Sequence, residues 1–172
     1  CSPEQNKVTD VSAEFDLIAR YFTRPAPDGM LGVGDDCALL PTTPGMRLAV
    51  SADLLVEGRH FFPDVAPDAL GHKSLAVNLS DLAAMGARPL GCLLSLSLPR
   101  VDPHWLAAFS GAFHALADQA GCPLVGGDTV RSADGVTIGV TVMGQVAPDQ
   151  ALRRDAAQAG DDIWVSGELG AA

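Results

Sequence analysis

Apolar residues recur along the chain with changing period, and the changes mark the elements. Phe15, Leu17, Ile18, Tyr21 and Phe22 fall at helical spacing over residues 13–22, with Ser12 placed to cap the start. A Pro/Gly-rich loop follows, from Pro25 to Gly29. Cys37-Ala38-Leu39-Leu40 and Leu48-Ala49-Val50-Ser51 predict two short buried strands around the turn Thr43-Pro44-Gly45. A second helix is predicted from about Pro67 to Met85, stopped by Gly86. Leu90 to Leu98 predicts a strand. Asp102-Pro103 then caps and opens a third helix, with Trp105, Leu106, Phe109, Phe113, Leu116 and Ala117 on its apolar face and Gly121 at its end. Val136 to Val146 alternates as a strand, and after the linker Ala147 to Gln150 a further strand is predicted from Asp162 to Ser166.

This order shows neither strict strand–helix alternation nor an internal repeat. It implies an α+β fold: a mixed or antiparallel sheet with helices on one face. The uncovered face must be buried somehow, and dimerisation across it is the expectation.

Composition narrows the function. Of 172 residues 48% are hydrophobic, enough for a core, and the net charge of −10 with scattered Lys and Arg argues against a nucleic-acid partner. An acidic chain still binds phosphates when cations accompany them. The cysteines, Cys1, Cys37, Cys92 and Cys122, form no C-x-x-C pair, which disfavours a zinc site or a disulfide framework and suits a reducing, cytoplasmic home. Cys37 and Cys92 lie in apolar stretches and are expected to pack as small core residues. No run of 18 apolar residues and no signal peptide is visible, so no membrane association is expected. The chain starts without Met and stops just after a glycine-rich turn, which reads as a piece of a longer protein.

The chemistry lies in aspartates at turns and element ends. Asp35 and Asp36 sit in Gly32-Val33-Gly34-Asp35-Asp36, Asp53 closes a strand, Asp81 is on the second helix, and Asp128 is in Gly126-Gly127-Asp128-Thr129, read as a turn. Any one of these is compatible with ordinary turn chemistry. Gathered at one interior edge, they would repel unless hard cations intervened, and oxygen ligands of this kind suit Mg²⁺ paired with phosphates. Ser74, Asn78 and Asp81 fall at i, i+4 and i+7 and form a short polar stripe on a largely apolar helix. That stripe either faces a ligand or metal or bonds the neighbouring chain. The glycines before the aspartates permit tight turns that present N–H groups to an anion. No G-x-x-x-x-G-K-[ST] loop or His-Arg-Asp kinase loop is present. Arg153 and Arg154 are either a phosphate clamp or a solvated basic pair, and His60 either a substrate contact or a packed histidine.

Gly32 to Leu40, Ser51 to Phe61, Lys73 to Ala87 and Gly126-Gly127-Asp128-Thr129-Val130-Arg131, with Phe15 to Phe22 before them, resemble the thiamine-monophosphate kinase family in order and spacing. The resemblance covers residues 14–170. It implies the fold of the aminoimidazole ribonucleotide synthetase superfamily's N-terminal domain, its sheet completing a barrel across a homodimer. It also implies an ATP- and Mg-binding domain over 1–148, with 149–172 opening a truncated C-terminal domain. By resemblance, Asp36, Asp53, Asp81 and Asp128 hold several Mg²⁺ ions on the phosphates of ATP. Ser51 and Ala52 lie in the same ligand strand, and Asp35 beside the cluster. Gly127, Asp128 and Arg154 contact ATP, and His60 contacts thiamine monophosphate. The implied reaction is direct phosphoryl transfer giving thiamine diphosphate, with no residue assigned as acid or base. Two positions depart from the family: Ala52 stands where Thr is common, leaving only a backbone ligand, and Arg154-Asp155-Ala156-Ala157 replaces Arg-Ser-Gly-Ala. Without the second domain the chain alone is expected to be inactive. The rival readings are a sister ATP-dependent enzyme, such as the hydrogenase-maturation dehydratase, and a non-catalytic nucleotide sensor.

Overall fold

A computed structural model describes residues 15–165 and 167. Its helices are α1 (residues 15–21), α2 (Pro67–Ala84) and α3 (Pro103–Ala120). Its strands are β1 (Arg47–Val56), β2 (Arg88–Leu98), β3 (Leu124–Arg131) and β4 (Thr137–Val146). The predicted cap Ser12 and the end of the predicted last strand at Ser166 lie outside the described residues.

Punctuation in the sequence explains the helix limits. Asp102 accepts hydrogen bonds from the backbone N–H groups of His104 and Trp105 at 3.0 and 3.2 Å, and Pro103 needs no N–H partner at the first turn. Gly121 then takes the left-handed conformation (φ 61°) and lets Cys122 N–H reach back to Ala117 O. α2 starts with Pro67 after an uncapped Ala66, and the chain turns away at Gly86, also left-handed (φ 66°). Leu106, Phe109, Phe113 and Ala117 of α3 are all but inaccessible to solvent, as are Leu70, Leu75 and Leu82 of α2. Each Leu or Phe so buried contributes about 1.5–3 kcal/mol. The two helices touch backbone to backbone where they meet, because a Cβ on Gly71 would lie 2.2 Å from Phe109 O.

The sheet order is β1-β4-β2-β3, with β4 antiparallel to both neighbours and β3 parallel to β2. Alternation sends Leu55, Ile138, Val140, Val142, Cys92, Leu94, Leu96 and Leu98 into the core beneath the helices. Leu48, Val50 and Leu54 point from β1 to the opposite face and stay exposed. α1 joins the core through Leu17 and Phe22, and is tied to α3 by Arg24 to Asp118 (2.9 Å) and by His114 Nε2 to Tyr21 O (3.1 Å). Burial first, then the Arg24 charge, pushes the His114 pKa below its ordinary value, so the ring is neutral and donates from Nε2. Cys92 and Cys122 are buried thiols, and their mutual hydrogen bond and burial drive Cys92 far from ionisation. Among the described residues no helix is long and apolar enough to cross a membrane.

Several elements differ from the sequence reading. Gly126 to Thr129 is not a turn but the middle of β3. Glycine is needed at 127 because a Cβ there would meet Leu94 O at 1.8 Å. Residues 37–40 form no strand beyond a single bridge from Leu39 to Leu31, and Cys37 and Leu39 are exposed rather than buried. With Asp35, Asp36 and prolines close by, that stretch has no strand neighbour on its outer side. Residues 161–165 are not a strand, and Ile163 and Trp164 are exposed. Phe15, assigned to the apolar face of α1, is exposed too.

The α2–α3 contact should tolerate no side chain at Gly71. Alanine gains about 1 kcal/mol of helix propensity, but the clash is with a carbonyl that cannot swing aside and costs about 1–3 kcal/mol or more. Gly71→Ala is therefore expected to lower the urea midpoint, and an unchanged or raised midpoint would refute the close crossing. At Asp102 the Trp105 N–H, and then the His104 N–H, hold the carboxyl pKa below its ordinary value of 3.8. A depressed carboxyl stabilises the fold above that value and loses the contribution as pH falls through its folded pKa. Asp102→Ala should thus melt below the parent at pH 6, with the gap closing towards pH 3.

Candidate functional site

The polar stripe of α2 faces strand β1. Ser74 Oγ donates to Gly71 O at 2.9 Å within the helix. Asn78 Nδ2 donates to Ser74 O, and Asn78 Oδ1 accepts from Asp53 N–H, both at 3.0 Å. Asp81 Oδ2 accepts from Ser51 Oγ. Ser74 and Asn78 are buried and spent on these partners, so only Asp81 of the stripe is exposed to a ligand. The stripe works as a latch. It sets Ser51 of β1 against Asp81 and the exposed Asp53 against Asn78.

Against this latch opens a cleft of about 440 Å³ lined by Ala49, Val50, Ser51, Asp81, Leu82, Ala84, Met85, Leu152, Arg153 and Arg154. Leu152 N–H donates to Met85 O at 3.1 Å and pins residues 152–154 to the end of α2. Arg153 is engaged by Asp155 through two bonds of 2.9 and 2.6 Å. Arg154 has no carboxylate partner among the described residues. The cleft thus offers a carboxylate, a hydroxyl and an available guanidinium. A carboxylate for a hard cation and a guanidinium for phosphate oxygens suit a metal–phosphate unit. Ala52 contributes only backbone, since its side chain is a methyl group facing away from α2.

Asp128 and Gly127 stand elsewhere. Gly126, Gly127, Asp128 and Thr129 border a small cavity of about 40 Å³ together with Val33. The 32–36 loop therefore lies against β3. Asp35 Oδ1 accepts from Asp36 N–H at 2.8 Å, so Asp35 shapes the loop, while the Asp36 carboxylate is exposed. β3 and β1 are the two edges of the sheet, three strand spacings apart, or about 14 Å. The described aspartates accordingly do not gather into the single cluster expected. Among the described residues no group of three metal-ligating side chains forms. Strand order is the reason: Asp53 lies on edge strand β1, with Asp81 over that strand, and Asp128 lies on the opposite edge strand β3. All are exposed carboxylates, and each set has the hard-oxygen chemistry that suits Mg²⁺.

His60 sits in the turn after β1. Its Nδ1 accepts from Val56 N–H at 3.0 Å, which places the ring proton on Nε2 and leaves that N–H exposed. Lys73 Nζ donates to the His60 carbonyl at 2.6 Å, and Glu57 Oε2 accepts from Val136 N–H at 3.1 Å. Sequence reasoning passed over Glu57 and Lys73. Lys73 looks like any solvated lysine on a helix, and no local signal points to its distant carbonyl partner.

Comparison with known proteins matches residues 34–146 to the family described as AIR synthase related protein, N-terminal domain. The chain is 49% identical over 160 residues to thiamine-monophosphate kinase of Salmonella typhimurium, covering 91% of this chain and 49% of the relative. It therefore spans about half the length of the curated relatives it matches. The crystal structure of thiamine-monophosphate kinase from Stenotrophomonas maltophilia K279a superposes with a TM-score of 0.77 at 52% identity, over 91% of this chain and 48% of that one. AaThiL complexed with AMPPCP and TMP superposes with a TM-score of 0.58 at 29% identity, over 63% of this chain and 35% of that one. With its mixed four-stranded sheet, its latched α2 and a family match over most of its length, the chain belongs to the AIR synthase related protein family, of which it carries the N-terminal domain.

Proposed function

We propose that the chain is the N-terminal, nucleotide- and metal-binding part of a thiamine-monophosphate kinase, which transfers the γ-phosphoryl group of ATP to thiamine monophosphate. The observation that carries this reading is the cleft shared by Ser51, Asp81 and Arg154, in a chain 49% identical to such a kinase. Asp53 and Asp81, with the Ser51 hydroxyl and the Ala52 carbonyl, would hold Mg²⁺ at one edge. Asp36 and Asp128, with Asp35 behind them, would hold it at the other. Bound there, Mg²⁺ neutralises charge on the ATP phosphates. Arg154 and the Gly127 backbone bind ATP, and His60 donates its Nε2–H to the thiamine monophosphate. A phosphate acceptor already ionised at neutral pH needs no strong base, so these residues work by positioning and charge.

The two edges also suggest how the site is completed. A second copy that covers the exposed Leu48, Val50 and Leu54 would form a homodimer whose sheets close into a barrel. Edge β1 of one chain would then approach edge β3 of the other and bring Asp128 towards the Ser51–Asp53 strand. Residues 1–148 make up this domain, and 149–172 begin the next. Without that second domain the chain is inactive. Free Cys37, Cys92 and Cys122 suit a reducing cytoplasm.

The deciding experiment incubates the full-length protein with ATP, Mg²⁺ and either thiamine monophosphate or free thiamine. Thiamine diphosphate formed only from the monophosphate is the expected result; ATP binding without that product would point to a sister enzyme. Asp81→Asn should lower kcat by about 10²–10³-fold with the far-UV spectrum unchanged, as loss of a charge-stabilising group at phosphoryl transfer predicts. Retention of parental kcat would remove Asp81 from the site. Leu48→Lys with Leu54→Lys should halve the mass seen by light scattering, while a dimer that survives both lysines must use another face.

A further inference from the structure

The turn between β1 and α2 is held from almost every side. The Val56 carbonyl accepts from Arg59 N–H and His60 N–H at 3.1 and 2.9 Å, and Val56 N–H donates to the His60 ring. Gly58, left-handed at φ 73°, donates its N–H to Phe61 O at 2.8 Å, and Phe61 is buried beneath. Glu57 holds Val136 through both backbone and side chain. The His60 carbonyl is taken by Lys73 Nζ at 2.6 Å. Lys73 is itself exposed, as is His60. An exposed ammonium bonded to one neutral carbonyl gains little for stability, because ordering a lysine costs much of what the bond returns. Its effect is directional. It fixes the peptide plane after His60, and with it the angle at which the imidazole leaves the turn.

We infer that Lys73 is the positioning residue for His60: it clamps the His60 peptide to α2, so that the ring keeps Nδ1 on Val56 N–H and aims a single donor, Nε2–H, at the phosphorylated acceptor substrate. This inference rests on the kinase reading for the identity of the acceptor, but not for the clamp. It separates two jobs on one helix. Lys73, towards the N-terminal end of α2, sets the acceptor contact, and Asp81, towards the other end, serves the metal–nucleotide cleft. The same helix therefore registers both substrates against β1.

The test uses the full-length protein with Lys73→Met, which keeps the aliphatic stem, and Lys73→Arg, which keeps a donor. Lys73→Met should raise KM for thiamine monophosphate by about 10-fold or more, the loss expected when a charge-assisted bond no longer orients a binding group, with KM for ATP unchanged. Lys73→Arg should restore most of it. Nitrogen-15 NMR of the histidine rings gives a second readout without turnover. Parental His60 should show the Nε2–H tautomer alone, and Lys73→Met a mixture. An Nδ1–H tautomer in the parent would overturn the inference, as would a tautomer and KM insensitive to Lys73→Met. Equal rises in both KM values together with a lowered Tm would reveal a merely structural lysine and overturn it as well. If thiamine monophosphate is not a substrate but the tautomer responds to Lys73, the clamp stands and the kinase reading fails.

Discussion

One buried amide joins the scaffold to the candidate site. Asn78 is 1% exposed, and its two polar ends reach in opposite directions, to Ser74 O within α2 and to Asp53 N–H on β1. Leaving either end unpaired in the core would cost about 1–3 kcal/mol, so helix and strand are held in one register rather than sliding on an apolar surface. That register is what sets Ser51 against Asp81 and brings the edge strand under the cleft. Hydrophobic burial by Leu75 and Leu82 supplies attraction between the layers but no direction. The amide supplies the direction.

Much of the fold was legible because it is punctuated. Asp102-Pro103, Gly121, Pro67 and Gly86 bound α3 and α2 within a residue or so of where the structure has them, since caps and left-handed glycines act locally. β3 was not legible. Gly126-Gly127-Asp128 has the composition of a turn, and only the close approach of the Leu94 backbone, seen in three dimensions, explains why glycine is needed at 127 in a strand. The stretch 37–40 failed in the opposite sense, being apolar enough for a strand but without a neighbour to pair with along its length.

The candidate site divides in the same way. That Ser74, Asn78 and Asp81 share a helix face follows from a 3.6-residue period. Which of them meets solvent does not, because that depends on β1 lying beneath two of the three. The aspartates stand out in the sequence, but their placement does not, since strand order puts Asp53 and Asp128 on opposite edges and no one-dimensional pattern encodes that order. Lys73 and Glu57 act through backbone groups, which leave no trace in residue type. Exposed carboxylates therefore stand at both edges of the sheet rather than together.

The bond from Val56 N–H to the His60 ring carries a constraint on how this protein can diverge. An imidazole nitrogen closes off the last amide of β1 while the other nitrogen of the same ring is offered outward. On the proposed reading, strand termination and ligand contact are two functions of one side chain. A lineage adapting to a different acceptor could not change this contact freely, because each replacement must also supply a compact acceptor for the strand end. If His60 meets the acceptor as proposed, specificity at this corner of the fold is inherited together with its architecture.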